Sequence, residues 1–133
     1  MTKPGNTDSL NPAKERHLFS QMVHAIPEPM ALISRDYRHL LVNPAYTDLL
    51  GRDRAEITGR PITDFFDPSF IEREIRPRLD RCLAGEAQEF EVQVPYRNNG
   101  PRWMRFSYTP YRETDGNITG TVIHGLDVTD RKR

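Results

Sequence analysis

The repeat of apolar residues changes from a helical period to a strand period at Gln88. Beyond this residue apolar and polar side chains alternate, and the apolar ones are Phe90, Val92, Val94 and Tyr96. Such alternation is typical of a half-buried β-strand. An Asn-Asn-Gly turn and an Asp-Gly turn then separate two further strand patterns, at 102–111 and 118–128. The end of the chain is therefore predicted to form three consecutive antiparallel strands.

An amphipathic helix is predicted over residues 11–27. Asn11 can cap this helix, Pro12 suits its first turn and Pro27 ends it. Its apolar side chains form one stripe, which consists of Leu18, Phe19, Met22, Val23 and Ile26. A stripe of this kind needs a surface to lie on. Residues 1–10 are rich in Pro, Gly, Ser, Asn and Thr, and we predict a disordered tail there.

Two short strands and two short helices are predicted next. The strands, at 30–33 and 39–42, lie on either side of a polar turn. Asn43, which precedes a proline, can cap the first helix, and Asp53 with Glu56 forms a capping box for the second. A glycine follows each helix and is predicted to end it.

The longest helix is predicted to begin at Asp67 and to end at Gly85. Pro77 lies inside it and has no N–H to donate, so we expect a kink or a break near Arg73. The buried stripe of this helix comprises Ile71, Ile75, Leu79 and Cys82. The complete order of elements predicts an α+β domain whose five strands share one antiparallel sheet.

Composition limits the partners and the compartment. A chain of 133 residues can bury one core but not two. The 19 Lys and Arg residues balance 19 Asp and Glu residues, so we expect contact with neither nucleic acid nor an anionic membrane. The single cysteine suits a reducing compartment, and no apolar run approaches the roughly 20 residues that cross a bilayer. These features predict a cytoplasmic location.

No catalytic motif is present in the sequence. It contains no G-x-S-x-G, no H-E-x-x-H and no glycine-rich phosphate loop. The histidines lack the local spacing of metal ligands; they are His17, His24, His39 and His124. We therefore expect a protein that is not an enzyme and that has no metal site.

Three stretches of the chain resemble the PAS domain, a sensory and interaction module of signalling proteins. They are LLVNPAYTDLLGRDRAEITGRPITDFF, RWMRFSYTPYRETDGNITG and GLDVTDRKR. The resemblance implies a PAS domain at 28–129, in which the helices cover one face of the sheet and leave a cleft between. It also implies that the helix at 11–27 packs on the other face or at a homodimer interface, and that 130–133 begin a connector to an output domain.

The resemblance implies two alternative functions. The first is a ligand-responsive sensor within a histidine kinase or a diguanylate cyclase. The second is a ligand-free structural dimerisation module, for example of a transcription regulator. An apolar stripe alone does not distinguish a lined pocket from a filled core.

The resemblance also allows cofactors to be considered. PAS domains of the LOV photoreceptor type carry a flavin-reactive cysteine, and Ile62 occupies the matching position here. Haem-binding members carry a histidine on the long helix, and residues 67–85 contain none. We expect no covalent flavin and no haem, whereas an uncharged small molecule remains open.

Alignment with the family indicates which side chains of the sheet would face the cleft, and the stripe of the long helix, with Phe66, would form the opposite wall. Those expected to contact a ligand are Phe66, Ile71, Ile75, Leu79, Met104, Phe106, Tyr108, Thr121, Ile123 and Gly125. Tyr108 would be the polar group, and Gly125 would leave a small void. On the strand that starts at Gln88, the alternation points Val92 inward, whereas the family alignment points Gln93 inward.

The remaining expectations concern the outer face and the exit from the domain. Trp103, Val122 and Leu126 are predicted to lie on the outer face as an apolar patch that needs cover. Asp127 and Thr129 are predicted to accept hydrogen bonds from the first N–H groups of the connector, and thereby to couple the cleft to the output domain.

Overall fold

A five-stranded antiparallel sheet forms the frame of the protein in a computed structural model that describes residues 11–132. The spatial order is β2-β1-β5-β4-β3. The strands are β1 (Met30–Ser34), β2 (His39–Val42), β3 (Gln88–Tyr96), β4 (Gly100–Arg112) and β5 (Ile118–Asp127). The predicted α+β class and its single sheet are confirmed. The predicted disordered tail, residues 1–10, lies outside the described residues.

Four of the five helices in the described part of the chain begin at polar residues that the sequence indicated. They are α1 (Pro12–Ala25), α2 (Pro44–Leu50), α3 (Arg54–Ile57), α4 (Pro68–Phe70) and α5 (Arg76–Leu83), with short 3-10 turns at Ile62–Asp64 and Thr129–Lys132. The Asn11 side chain accepts from the Lys14 N–H over 2.7 Å. Asn43 and Asp67 accept in the same way at the starts of α2 and α4. The local cap chemistry therefore sets where each of these helices starts.

A π turn, Ile71–Ile75, joins α4 to α5 and interrupts the long helix at the predicted place. Pro77 cannot donate a backbone hydrogen bond to the carbonyl four residues earlier, that of Arg73. The turn around Arg73 is therefore free to widen. The predicted break is confirmed, and it lies in the part of the helix that faces the sheet.

The core lies between these helices and one face of the sheet. Its most deeply buried apolar side chains come from every layer and include Ile33, Ile57, Ile71, Leu79 and Met104. Asn43 is only 1% exposed and does more than cap α2. Its Oδ1 also accepts from the Met30 N–H over 2.9 Å, and its amide donates to the Glu28 carbonyl over 2.9 Å. It thus joins α2 to the start of β1.

Helix α1 does not bury its apolar stripe in this chain. None of its residues is buried, and Leu18, Phe19 and Met22 are 47%, 58% and 54% exposed. Of the two locations expected for this helix, the sheet face of its own chain is wrong, and a dimer interface stays a prediction. Among the described residues, no helix has both the length and the apolar character that spanning a membrane requires.

Candidate ligand cavity and C-terminal exit

A small cavity lies between the sheet and the long helix. Its volume is about 40 Å³. Predicted cleft residues in its wall are Phe66, Ile75, Leu79, Phe106, Tyr108 and Ile123. A pocket for a drug-sized ligand has a volume of several hundred Å³. The protein's own side chains fill most of the space that such a ligand would need. A larger molecule enters only if part of the wall moves.

Four residues predicted for the cleft lie outside its wall: Ile71, Met104, Thr121 and Gly125. All four are buried in the surrounding core. The void expected at Gly125 is filled, because a Cβ atom there would lie 2.9 Å from the Phe106 ring. Glycine at this position makes room for the neighbouring strand's aromatic side chain rather than for a ligand.

Sequence reasoning missed much of the cavity wall. Strand β3 contributes Phe90, Val92, Val94 and Tyr96, and other elements contribute Pro29, Tyr46, Leu49, Ile62, Phe70 and Glu74. The alternation in β3 was a sufficient signal, since Val92 lines the cavity and Gln93 is exposed. The alternation therefore predicted the inward side of β3 correctly, and the family alignment did not.

The Tyr46 hydroxyl is bound to a buried histidine. The Nδ1 atom of His39 lies 2.8 Å from the Arg60 carbonyl oxygen, and since a carbonyl only accepts, this nitrogen carries the ring proton. The Nε2 atom is then an acceptor, and the Tyr46 hydroxyl donates to it over 2.7 Å. Burial lowers the pKa of His39 and so favours the neutral ring.

Glu74 is the one charged side chain in the cavity wall, within the described residues. Its Oε1 atom lies 3.0 Å from Nη1 of Arg78, one helical turn later. The Arg78 guanidinium in turn lies 4.0 Å from the centre of the Phe90 ring, a cation–π contact. Both charged side chains are about one quarter exposed, so the pair lies at the solvent edge of the cavity.

The positions considered for cofactors are both buried. Ile62 is 4% exposed in the cavity wall and carries no reactive group. Cys82 is fully buried on α5, and burial raises the pKa of its thiol more than contact with Thr121 lowers it. The neutral thiol is therefore favoured, and a neutral thiol is a weak nucleophile.

Strand β4 makes three contacts with residues 127–129, where the chain leaves the domain; we call these residues the exit. The Arg102 Nε lies 2.8 Å from an Asp127 carboxylate oxygen, the Trp103 carbonyl accepts from the Val128 N–H over 2.8 Å, and the Trp103 N–H donates to the Thr129 hydroxyl over 2.9 Å. The other Asp127 oxygen accepts from the Thr129 N–H over 2.9 Å. Burial tends to raise the pKa of Asp127, but these bonds from Thr129 and Arg102 outweigh it and hold the pKa below its ordinary value.

Asp127 lies as predicted at the start of the terminal 3-10 turn, but the expectation for Thr129 is wrong. Its hydroxyl accepts from β4 and not from the turn that follows. Strand β5 pairs with β4 as far as Asp127, opposite Met104. Beyond this point the Thr129 hydroxyl accepts from the Trp103 N–H.

The outer face of the sheet carries a row of apolar side chains. The three predicted members, Trp103, Val122 and Leu126, are partly exposed. Leu40 and Leu41 on β2 are 46% and 60% exposed, and sequence reasoning missed them. The outer face of the sheet and the exposed stripe of α1 together give the single chain an unusually large exposed apolar surface.

The strand order, the covering helices and the enclosed cavity define a small α+β sensory-type module. The family model PAS_4, described as PAS fold, matches residues 23–133. The chain therefore belongs to the PAS family, and the resemblance noted in the sequence is confirmed.

Individual relatives extend this assignment. The biofilm dispersion protein BdlA of Pseudomonas aeruginosa is 27% identical over 125 residues, which are 90% of this chain and 29% of BdlA. The Vibrio cholerae VqmA–ligand–DNA complex is 25% identical with a TM-score of 0.74, over 92% of this chain and 54% of VqmA. A PAS domain from Colwellia psychrerythraea is 13% identical with a TM-score of 0.75, over 88% of this chain and 99% of that chain. This chain thus spans less than one third of the length of BdlA.

Proposed function

We propose that this chain is a non-enzymatic cytoplasmic sensory domain that binds a small molecule in the cavity and passes the signal through residues 127–129 to an output domain. One observation carries the proposal: strand β4 contributes both to the cavity wall and to the contacts that hold the exit. Phe106 and Tyr108 line the cavity, and Arg102 and Trp103 lie a few residues earlier on the same strand.

The proposed mechanism follows from this shared strand. A molecule that enlarges the cavity displaces the inward side chains of β4. Backbone hydrogen bonds join β4 to β5 from Met104 to Arg112, so the two strands shift together. The turn at Thr129–Lys132 is held by Asp127 and Trp103 and changes its direction with them. The output domain senses this direction without contact with the ligand.

Native mass spectrometry of the purified protein tests the sensor function. We expect a retained small molecule in the wild type and its loss in Ile75→Phe, which fills the cavity. Leu83→Phe is the matched control, since Leu83 is half-buried on α5, the helix that directly follows Ile75, and does not line the cavity. Retention by all three proteins, or by none, contradicts the proposal.

The proposal includes a homodimer. The stripe of α1 and the apolar outer face are the surfaces that support it, since both are exposed in the single chain. In the dimer, the stripe of one subunit covers the outer face of its partner. Burial of the five stripe side chains contributes on the order of 5 to 10 kcal/mol before entropy is subtracted.

A second candidate function is that of a ligand-free structural dimerisation module. The cavity volume of about 40 Å³ favours it, because this space is close to that of a single water molecule. The two functions share the dimer and differ in the retained ligand, so the mass measurement described above separates them.

The output domain proposed for the parent protein is a histidine kinase or a diguanylate cyclase, and next a DNA-binding regulator. VqmA, described in complex with a ligand and DNA, supports the last of these. We assign no nucleic-acid or membrane contact to the PAS domain itself, because its 19 basic and 19 acidic residues balance. We also propose that it carries no flavin and no haem.

A further inference from the structure

Three buried tyrosines line the cavity, and their hydroxyl groups differ in their partners. Tyr46, Tyr96 and Tyr108 are 8%, 6% and 3% exposed. Tyr46 donates to His39, as described above. The hydroxyls of Tyr96 and Tyr108, by contrast, form no hydrogen bond with any group in the part of the chain that the structure describes. Among the described residues, Thr121 Oγ1 is the one fully enclosed side-chain oxygen or nitrogen without a hydrogen bond. The two tyrosine hydroxyls therefore have no protein partner but can be reached by a water-sized molecule.

A hydroxyl of the cavity wall that has no protein partner can form a hydrogen bond only with a molecule in the cavity. Phenylalanine would fill nearly the same space at either position, so no contact within the described part of the chain requires these two hydroxyls. Their presence points to a partner that belongs to the cavity.

The charge state of these hydroxyls limits what that partner can be. Burial raises the pKa of both phenols, so they are neutral and able to donate. Tyr46 and Tyr108, which line the same cavity, add to the rise in the Tyr96 pKa. A partner bound here can accept a hydrogen bond from Tyr96 and Tyr108, whereas the Tyr46 hydroxyl already donates to His39.

The rest of the wall is aromatic and uncharged. Phe66 lies 6.0 Å from the Tyr96 ring, edge to face, and Phe90 lies 5.0 Å from the Tyr108 ring in the same arrangement. Glu74 is bound to Arg78 and is not available as a counter-ion. A charged molecule would lose its hydration without compensation, whereas a flat neutral ring packs well against these faces.

We propose that Tyr96 and Tyr108 are the specificity-determining residues of this cavity, and that they donate hydrogen bonds to a small uncharged ring that carries a hydrogen-bond acceptor. This inference rests on the proposed sensor function and names its ligand class. The present volume of about 40 Å³ requires part of the wall to move when such a ring enters.

The first test measures the melting temperature without ligand. Tyr96→Phe and Tyr108→Phe should leave it unchanged or raise it, because each removes a hydroxyl that has no protein partner. Tyr46→Phe is the matched control and should lower it by about 2 to 8 °C, because it leaves His39 without its donor. If the first two variants lose as much as the control, their hydroxyls are already bound, for example to a buried water, and the proposal is wrong.

The second test compares pyridine with benzene by NMR titration at pH 8, where pyridine is uncharged. The two rings have nearly the same shape, and pyridine alone has an acceptor. We expect pyridine to bind about tenfold more tightly than benzene to the wild type, which is the effect of about one good hydrogen bond. The ratio should fall to about one in the Tyr96→Phe/Tyr108→Phe double variant.

Failure of this inference is distinguishable from failure of the sensor function. If benzene and pyridine bind equally well to the wild type, the cavity accepts rings but the hydroxyls do not select them, and the inference is overturned. If neither ring binds while mass spectrometry finds a retained molecule, the ligand class is wrong and the sensor function stands. If no molecule is retained and neither ring binds, both are wrong.

Discussion

The Nε atom of Arg102 lies 2.8 Å from a carboxylate oxygen of Asp127, and this ion pair joins β4 to the residue at which β5 ends. Both side chains are about one third exposed, so the pair itself adds little stability. Its importance is geometric. It orients the carboxylate whose other oxygen accepts from the Thr129 N–H.

Asp127→Ala should loosen the exit without altering the cavity. We expect a loss of about 1 kcal/mol in the free energy of unfolding, as for other caps. The Thr129 amide should also exchange its hydrogen faster. In the full-length protein the variant should retain its small molecule in native mass spectrometry while its output no longer responds. Asp130→Ala, which removes an exposed carboxylate three residues later within the turn, is the matched control.

The effect of Asp127→Ala should depend on pH. The folded pKa of Asp127 lies below its ordinary value of 3.8, so the carboxylate stabilises the fold above that value, and this contribution is lost as the pH falls through the folded pKa. Chemical denaturation should therefore show a difference between wild type and variant near pH 6 that vanishes in stronger acid. A pH-independent difference, or a variant with unchanged regulation, would show that Asp127 is not the coupling residue.

His39 should make the protein less stable in mild acid. Burial lowers its folded pKa below the ordinary value of 6.5. Between these two values the unfolded chain binds a proton that the folded protein does not bind. Stability is therefore full above pH 6.5, and falls below it by up to about 1.4 kcal/mol per pH unit until the folded pKa is reached.

Denaturant unfolding between pH 5 and pH 8 measures this effect. His39→Gln should be less stable at pH 8, and its profile should be flatter below pH 6.5. His17→Gln, which alters an exposed histidine on α1, should retain the slope of the wild type. If the stability of all three proteins falls equally with pH, titratable groups other than His39 cause the decrease.

Phe19→Glu should disrupt the proposed dimer. Phe19 is 58% exposed in the single chain, and a carboxylate there cannot be buried against an apolar partner surface. Light scattering coupled to size-exclusion chromatography should give a dimer for the wild type and a monomer for the variant. Deletion of residues 1–26 should likewise cause loss of the dimer or aggregation.

Ser20→Glu is the control for charge alone, because Ser20 is exposed beside Phe19 and is not part of the stripe. It should remain dimeric. A truncated protein of unchanged stability, solubility and mass would contradict the assignment of α1 to the interface.

The purified protein should be colourless. Ile62 cannot form the flavin–thiol bond of LOV domains, and α5 and the turns before it carry no histidine for haem iron. Absorption spectra before and after incubation with flavin mononucleotide or haemin, followed by desalting, measure this directly. A stoichiometric Soret band or flavin spectrum would overturn it.

The helix starts were predictable because their chemistry is local. Asn11, Asn43 and Asp67 act on N–H groups two or three residues later, and Pro77 acts on the turn directly before it. Strand β3 was equally readable from its alternation. These features depend on residues that are close together in the sequence. They can therefore be predicted without knowing which elements pack against them.

The cavity wall was less predictable because it depends on distant parts of the chain. Tyr46 and Tyr96 come from α2 and β3, and nothing in the spacing of 50 residues brings their rings together. Gly125 indicated a void from its own size, but the Phe106 ring on the neighbouring strand fills that space. Thr129 likewise serves a donor on β4 that becomes apparent only from the register of the two strands.

The π turn at Ile71–Ile75 supplies Glu74 and Ile75 to the cavity wall, and its hydrogen bonds are displaced from the regular helical pattern. Such a turn opens at a lower cost in free energy than the sheet beneath it. If the cavity holds the proposed small molecule, we expect that molecule to leave through a local fluctuation of the turn, with a residence time that does not depend on the stability of the whole domain. Two related domains that melt at the same temperature would thus retain a stimulus for different times, according to whether a proline stands where Pro77 does.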